Sequence, residues 1–92
     1  PGSPIRSTMS GIITTITYIR GYGTTIIVDH GGGFYTVYSH VTNIQTNVDS
    51  EVRSGDVIAY MGDSGSVNGS KLHFEVWGKG QKLDPEKWLR KK

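Results

Sequence analysis

The chain has 92 residues, of which 35% are hydrophobic and 13 are glycine, with a formal charge of +2 and no cysteine. That length makes one domain with a thin core, burying about 60–65% of its unfolded surface. Lack of cysteine excludes disulfides, Cys-based zinc sites and a thiol nucleophile, and no apolar run reaches the roughly 20 residues that span a bilayer. The small positive excess sits in Arg90, Lys91 and Lys92 and reads as a solvated tail. Nucleic-acid binding would need a basic stripe with interleaved aromatics, which the sequence lacks.

Pro1, Gly2 and Ser3 read as a cloning remnant, leaving residues 4–92 as the expected domain. No signal-peptide pattern is present, so an export signal is expected on a longer precursor. Residues 11–20 (GIITTITYIR) are rich in Ile, Thr and Tyr and predict a strand. Gly21-Tyr22-Gly23 breaks it, and residues 24–30 (TTIIVDH) form a second strand. Three glycines at 31–33 permit positive φ at no steric cost and make a turn. Residues 34–40 (FYTVYSH) are a third strand, in a hairpin with the second. Residues 43–49 hold a turn or a short strand. Residues 52–56 read as a tight turn leading into a strand over 57–61, and 62–70 (GDSGSVNGS) as a loop. Residues 72–77 alternate as a strand, and Lys79-Gly80-Gln81 is a turn. Asp84-Pro85 opens the one helical signal, Asp as N-cap and Pro at the first helical position. This helix is expected to reach Arg90 and to plug the open end of the core with Trp88 and Leu89. Gly-linked strands with one short helix argue for an all-β fold, an antiparallel barrel or sandwich.

Chemistry would have to come from His30, His40 and His73. On period-two alternation Lys71, His73 and Glu75 share one face of their strand, while Leu72, Phe74 and Val76 face the core. Thr36, Tyr38 and His40 share a face of the third strand, with Val37 and Val41 opposite. If those strands are neighbours, His40 and His73 lie on one groove floor. Singly, each histidine reads more simply as structural or exposed, His30 most of all because it adjoins the glycine turn. A three-histidine zinc site is arithmetically open.

The segment HGGGFYTVYSH (30–40) resembles the HGxGxxTxYxH segment of lysostaphin-type, LytM-like peptidases. Residues 48–62 (VDSEVRSGDVIAYMG) resemble their V...V..G..IG..G segment, residues 71–76 (KLHFEV) their HxHFE signature, and residues 83–89 (LDPEKWL) their closing V(D/N)PxxxL. The four motifs stand in family order from about Gly11 to Leu89. The resemblance implies the LytM (duplicated hybrid motif) fold and zinc-dependent cleavage of peptidoglycan cross-bridges. It also implies a metal held by the His and Asp of an HxxxD motif and by the second His of HxH. Carried over, His73 matches the third zinc ligand and is the only ligand position retained. His40 matches one catalytic histidine, and Lys71 stands where the other belongs. No HxxxD occurs in the chain. Lys71, with a reference pKa of about 10.4, is cationic at neutral pH and offers no lone pair to a metal.

These departures resemble the degenerate EnvC- and NlpD-type murein hydrolase activators, which dock an N-acetylmuramoyl-L-alanine amidase in the vacated groove. The implied reading is a catalytically inactive, extracytoplasmic bacterial domain that binds and activates a peptidoglycan amidase, with peptidoglycan as a further ligand. No cofactor, metal or catalytic residue is then expected. The expected contact residues are Tyr38, His40, Lys71, His73 and Glu75. The alternative is a zinc-dependent peptidoglycan endopeptidase represented by a fragment. A phosphotransferase-type carrier with paired histidines ranks below both. A lipoyl-type carrier needs a lysine at a hairpin tip, where this chain has Ser54-Gly55-Asp56.

Overall fold

The computed structural model describes residues 3–62 and 72–83, and these form strands without a helix. The elements are β1 (Pro4–Arg6), β2 (Gly11–Ile19), β3 (Gly23–Gly31), β4 (Phe34–Ser39), β5 (Val41–Thr42), β6 (Glu51–Val52), β7 (Val57–Met61), β8 (His73–Gly78) and β9 (Gln81–Leu83). They build two antiparallel sheets, one of six strands in the order β6-β2-β3-β4-β8-β9 and one of three in the order β1-β7-β5. Among the described residues no helix is long and apolar enough to cross a membrane, which says nothing of membrane β-barrels.

The long strands follow from their composition. Branched side chains in β2 and β3 keep the extended backbone they prefer and pack across the pleat. The β3–β4 turn closes at Gly31 paired with Phe34, and Gly31, Gly32 and Gly33 all have positive φ (84°, 64° and 86°). Two successive left-handed residues match the strand twist, so the triple glycine makes a tight hairpin as its sequence predicts. The core lies between the two sheets. Ile13, Ile26, Val28 and Tyr38 of the larger sheet meet Ile5, Val41, Ile58 and Ala59 of the smaller one, all nearly inaccessible to solvent.

Four short strands escape the sequence pattern. β1, β5 and β6 have two or three residues each, too few to show a period. Glu51–Val52, at the start of the expected turn, instead pairs with Ile12 and Gly11. The turn proper follows, with Arg53 N donating to Asp56 Oδ2 at 2.9 Å and Gly55 at φ 90°. In the β8–β9 hairpin the turn is Lys79-Gly80, with φ of 52° and 82°, and Gln81 already belongs to β9. The loop expected over 62–70 lies almost wholly outside the described residues, as do the helix expected from Asp84 and the plug of Trp88 and Leu89.

Candidate functional site

Strand register decides which side chains meet. β4 and β8 are neighbours, with Val37 opposite Glu75, Tyr38 opposite Phe74 and Ser39 opposite His73. The face of the large sheet turned away from the small sheet therefore carries rows that cross several strands. One row is Thr15, Ile27, Val37 and Glu75; another is Thr17, Thr25, Ser39 and His73; Tyr35 and Trp77 form a third. The first and third rows, with Ile19 and Gly80, line a groove of about 570 Å³. A smaller hollow of about 260 Å³ continues it past Tyr22, Ser39 and Lys82.

This register corrects one expectation. Tyr38 does not share the groove with His73 and Glu75. It is 1% exposed, its ring packs on Phe74 with centroids 5.2 Å apart, and it belongs to the core. Val37, expected on the opposite face from the groove, is the residue that faces Glu75. Alternation fails at His40 too. β4 ends at Ser39, and His40 has φ 61°, a left-handed conformation that breaks the period of two. His40 is held there by its backbone: its N–H donates to Tyr22 O at 2.9 Å and its carbonyl accepts from Gly62 N at 3.1 Å. Its backbone lies one residue past Ser39, the partner of His73.

Glu75 is the hub. His73 Nε2 lies 2.5 Å from Glu75 Oε2, and Trp77 Nε1 donates to Glu75 Oε1 at 2.8 Å. Lys82 Nζ lies 3.4 Å from Oε2. Burial by itself raises the carboxyl pKa, but the hydrogen bonds from His73 and Trp77 and the charge of Lys82 together outweigh it. Glu75 therefore sits below its ordinary value and is ionised at neutral pH. A carboxylate only accepts, so the proton in the short contact is on His73 Nε2, and Nδ1 is the ring's remaining donor position for a metal. The Tyr22 ring stands 5.0 Å from the His73 ring at a 50° tilt and limits its rotation.

His30 takes no part in the groove. Nδ1 is 2.8 Å from Ser10 O and Nε2 is 2.7 Å from Thr36 Oγ1, which donates to Tyr38 Oη at 3.1 Å. Thr8 N also donates to Tyr38 Oη, at 3.2 Å. The chain of bonds fastens residues 8–10 to β3 and β4, which is the structural role expected for His30. Lys71 lies outside the described residues.

One imidazole nitrogen does not make a catalytic zinc site, which takes about three protein ligands and an open position. No three His, Asp or Glu residues converge among the described residues. The donors present there do not fit the metal. Sequence reasoning missed Trp77, Tyr22 and Val37 as groove residues. Trp77 was accessible to it, since period-two alternation extends the Lys71, His73, Glu75 face by one step. Tyr22 lies in a turn, and no periodicity could place its ring on His73.

Known proteins share this sequence pattern and fold. DD-carboxypeptidase/endopeptidase Mpg of Neisseria meningitidis serogroup B (strain ATCC BAA-335 / MC58) is 33% identical over 84 residues, 91% of this chain and 19% of that protein. The murein hydrolase activator EnvC of Escherichia coli (strain K12) is 32% identical over 88 residues, 96% of this chain and 21% of that protein. The chain thus spans about a fifth of the length of these curated relatives. The catalytic domain of lysostaphin from Staphylococcus simulans shares the fold, with a TM-score of 0.87 at 24% identity over 97% of this chain and 71% of that one. The profile of Peptidase family M23 matches residues 1–85, and the chain belongs to that family.

Proposed function

We propose that this domain is a catalytically silent M23 module that binds and activates an N-acetylmuramoyl-L-alanine amidase in the bacterial extracytoplasmic space, during cell-wall remodelling or cell separation. The observation that carries the reading is Lys71, which stands in the sequence where a catalytic histidine of the family belongs, two residues before the retained ligand position His73. Similarity to EnvC, a murein hydrolase activator by name, supports the same reading. An apolar floor with two aromatics, Tyr35 and Trp77, and a carboxylate whose charge is compensated by its neighbours suits a protein partner, since anchors of this kind carry most binding energy. The contact surface is His40, Lys71, His73 and Glu75, joined by Val37 and Trp77 in place of Tyr38.

Release of dye from labelled peptidoglycan tests it. The domain alone releases none; added to a purified amidase of this class, it raises the amidase rate. Trp77→Ala lowers that stimulation by about tenfold, as removal of a central anchor does. Zinc-dependent release by the domain alone ends the proposal.

One observation favours a second reading, a zinc endopeptidase in a longer polypeptide. The Glu75 carboxylate on His73 Nε2 is the arrangement that orients a metal-binding histidine through its other nitrogen. Elemental analysis of the natural full-length protein decides this. About one zinc per chain, removable together with activity, supports the enzyme; a chain without zinc removes it.

A further inference from the structure

The large sheet has an unequal edge. β6 covers only Gly11 and Ile12 of β2, and the ladder is prolonged by Ile13 alone, whose N–H donates to Ser50 O and whose carbonyl accepts from Asp49 N. Among the described residues no strand lies beside residues 15–19. The β-bulge of β2, a device that protects edges, falls between Ile13 and Thr15, before the open stretch begins. Within that stretch (TITYI) there is no charge and no proline. Tyr18 is 66% exposed and Ile19 38%. An uncharged, β-prone open edge is a template for another strand.

We propose that this edge is a self-association surface, on which a second copy of the chain pairs antiparallel through β2 about a two-fold axis at Thr17. In that register Thr17 lies opposite Thr17 of the second copy, Ile16 opposite its Tyr18, and Thr15 opposite its Ile19. Ile16 packs against the core, so the pairing covers the exposed Tyr18 ring beside the apolar edge of each core. Cross-strand aromatic–aliphatic pairs of this kind stabilise antiparallel ladders.

Charge placement favours a second copy over other strands. The open slot ends at the segment that holds Ile13, where Asp49 and Glu51 are both exposed. The same two-fold brings exposed Arg20 of the second copy opposite Thr14, at that acidic end, and symmetry repeats the contact. No like charges face one another across the ladder. The inference is independent of what the groove binds.

Sedimentation equilibrium of the 92-residue chain, from micromolar to millimolar concentration, is the first measurement, and a monomer–dimer equilibrium is expected. Thr17→Lys places two cations opposite each other and weakens the dimer by about tenfold or more. Arg20→Glu weakens it as well, and Asp49→Arg with Glu51→Lys restores it in the Arg20→Glu background. Because the chain has no cysteine, Thr17→Cys is a clean register probe: it oxidises to a disulfide-linked dimer faster than Asn47→Cys, placed in an exposed loop. Circular dichroism and thermal midpoints confirm that each variant folds. A chain that stays monomeric throughout, a dimer indifferent to Thr17→Lys in a folded variant, or equal oxidation of the two cysteines overturns the proposal.

Discussion

Glu75 shows how a single side chain organises the groove. Its carboxylate joins neighbours two residues away on both sides of β8 and Lys82 on β9. Its pKa lies below the ordinary 4.5 because those contacts outweigh burial. A carboxyl depressed in the folded state adds stability above its unfolded value, and that stability is lost as pH falls through the folded one. Glu75→Gln is thus expected to cost about 1.5–3 kcal/mol at neutral pH, the range for hydrogen bonds to a charged acceptor. The difference between the two proteins closes as pH drops below 4.5. Thermal midpoints of both against pH check this; a gap that persists unchanged into acid contradicts it. Tyr38→Phe probes the opposite face. It removes the acceptor of Thr8 N and Thr36 Oγ1, and denaturant titration should show a loss of about 1–2 kcal/mol. The groove contacts of His73 should remain, because Tyr38 points away from them.

At the scale of elements, close strand pairing sets limits that glycine marks. A Cβ on Gly11 would stand 2.5 Å from Asp29 O and 2.8 Å from Val28 Cγ1. Backbone cannot yield as a flexible side chain can, so Gly11→Ala must part β2 from β3 at that point. The expected cost is about 1–3 kcal/mol, read from the denaturation midpoint, with faster amide exchange at Val28 and Asp29. The five long strands were legible because each has enough residues to show β-branched composition or a period, and glycine turns separate them. β1, β5 and β6 were not, since a two- or three-residue strand is made by its partner. The site was half legible for a related reason. Alternation holds within β8 and joined His73 to Glu75 correctly. Relating β8 to β4 takes a register, and no local pattern carries it. Left-handed His40 ends the alternation that had grouped it with Tyr38.

In the whole molecule, the groove on one face of the large sheet depends on packing against the other. The groove residues Val37, Glu75 and Trp77 alternate with Tyr38 and Phe74, which pack into the core shared with the small sheet, and with Val76, which is fully buried. The small sheet has three short strands and little hydrogen bonding of its own, so the shared core is what holds it. Ile58, fully buried on β7, has no contact with the groove, yet its loss should be felt there. Ile58→Ala is expected to cost about 2–5 kcal/mol through the cavity it leaves. If the two sheets share one core, the domain unfolds in a single transition. The chain has two tryptophans. In a Trp88→Phe background the remaining indole, Trp77, reports from the groove side, while far-ultraviolet circular dichroism reports both sheets. Ile58→Ala should lower the two midpoints equally. A Trp77 transition that stays in place while the circular dichroism transition shifts would show that the groove-bearing sheet stands without the small one.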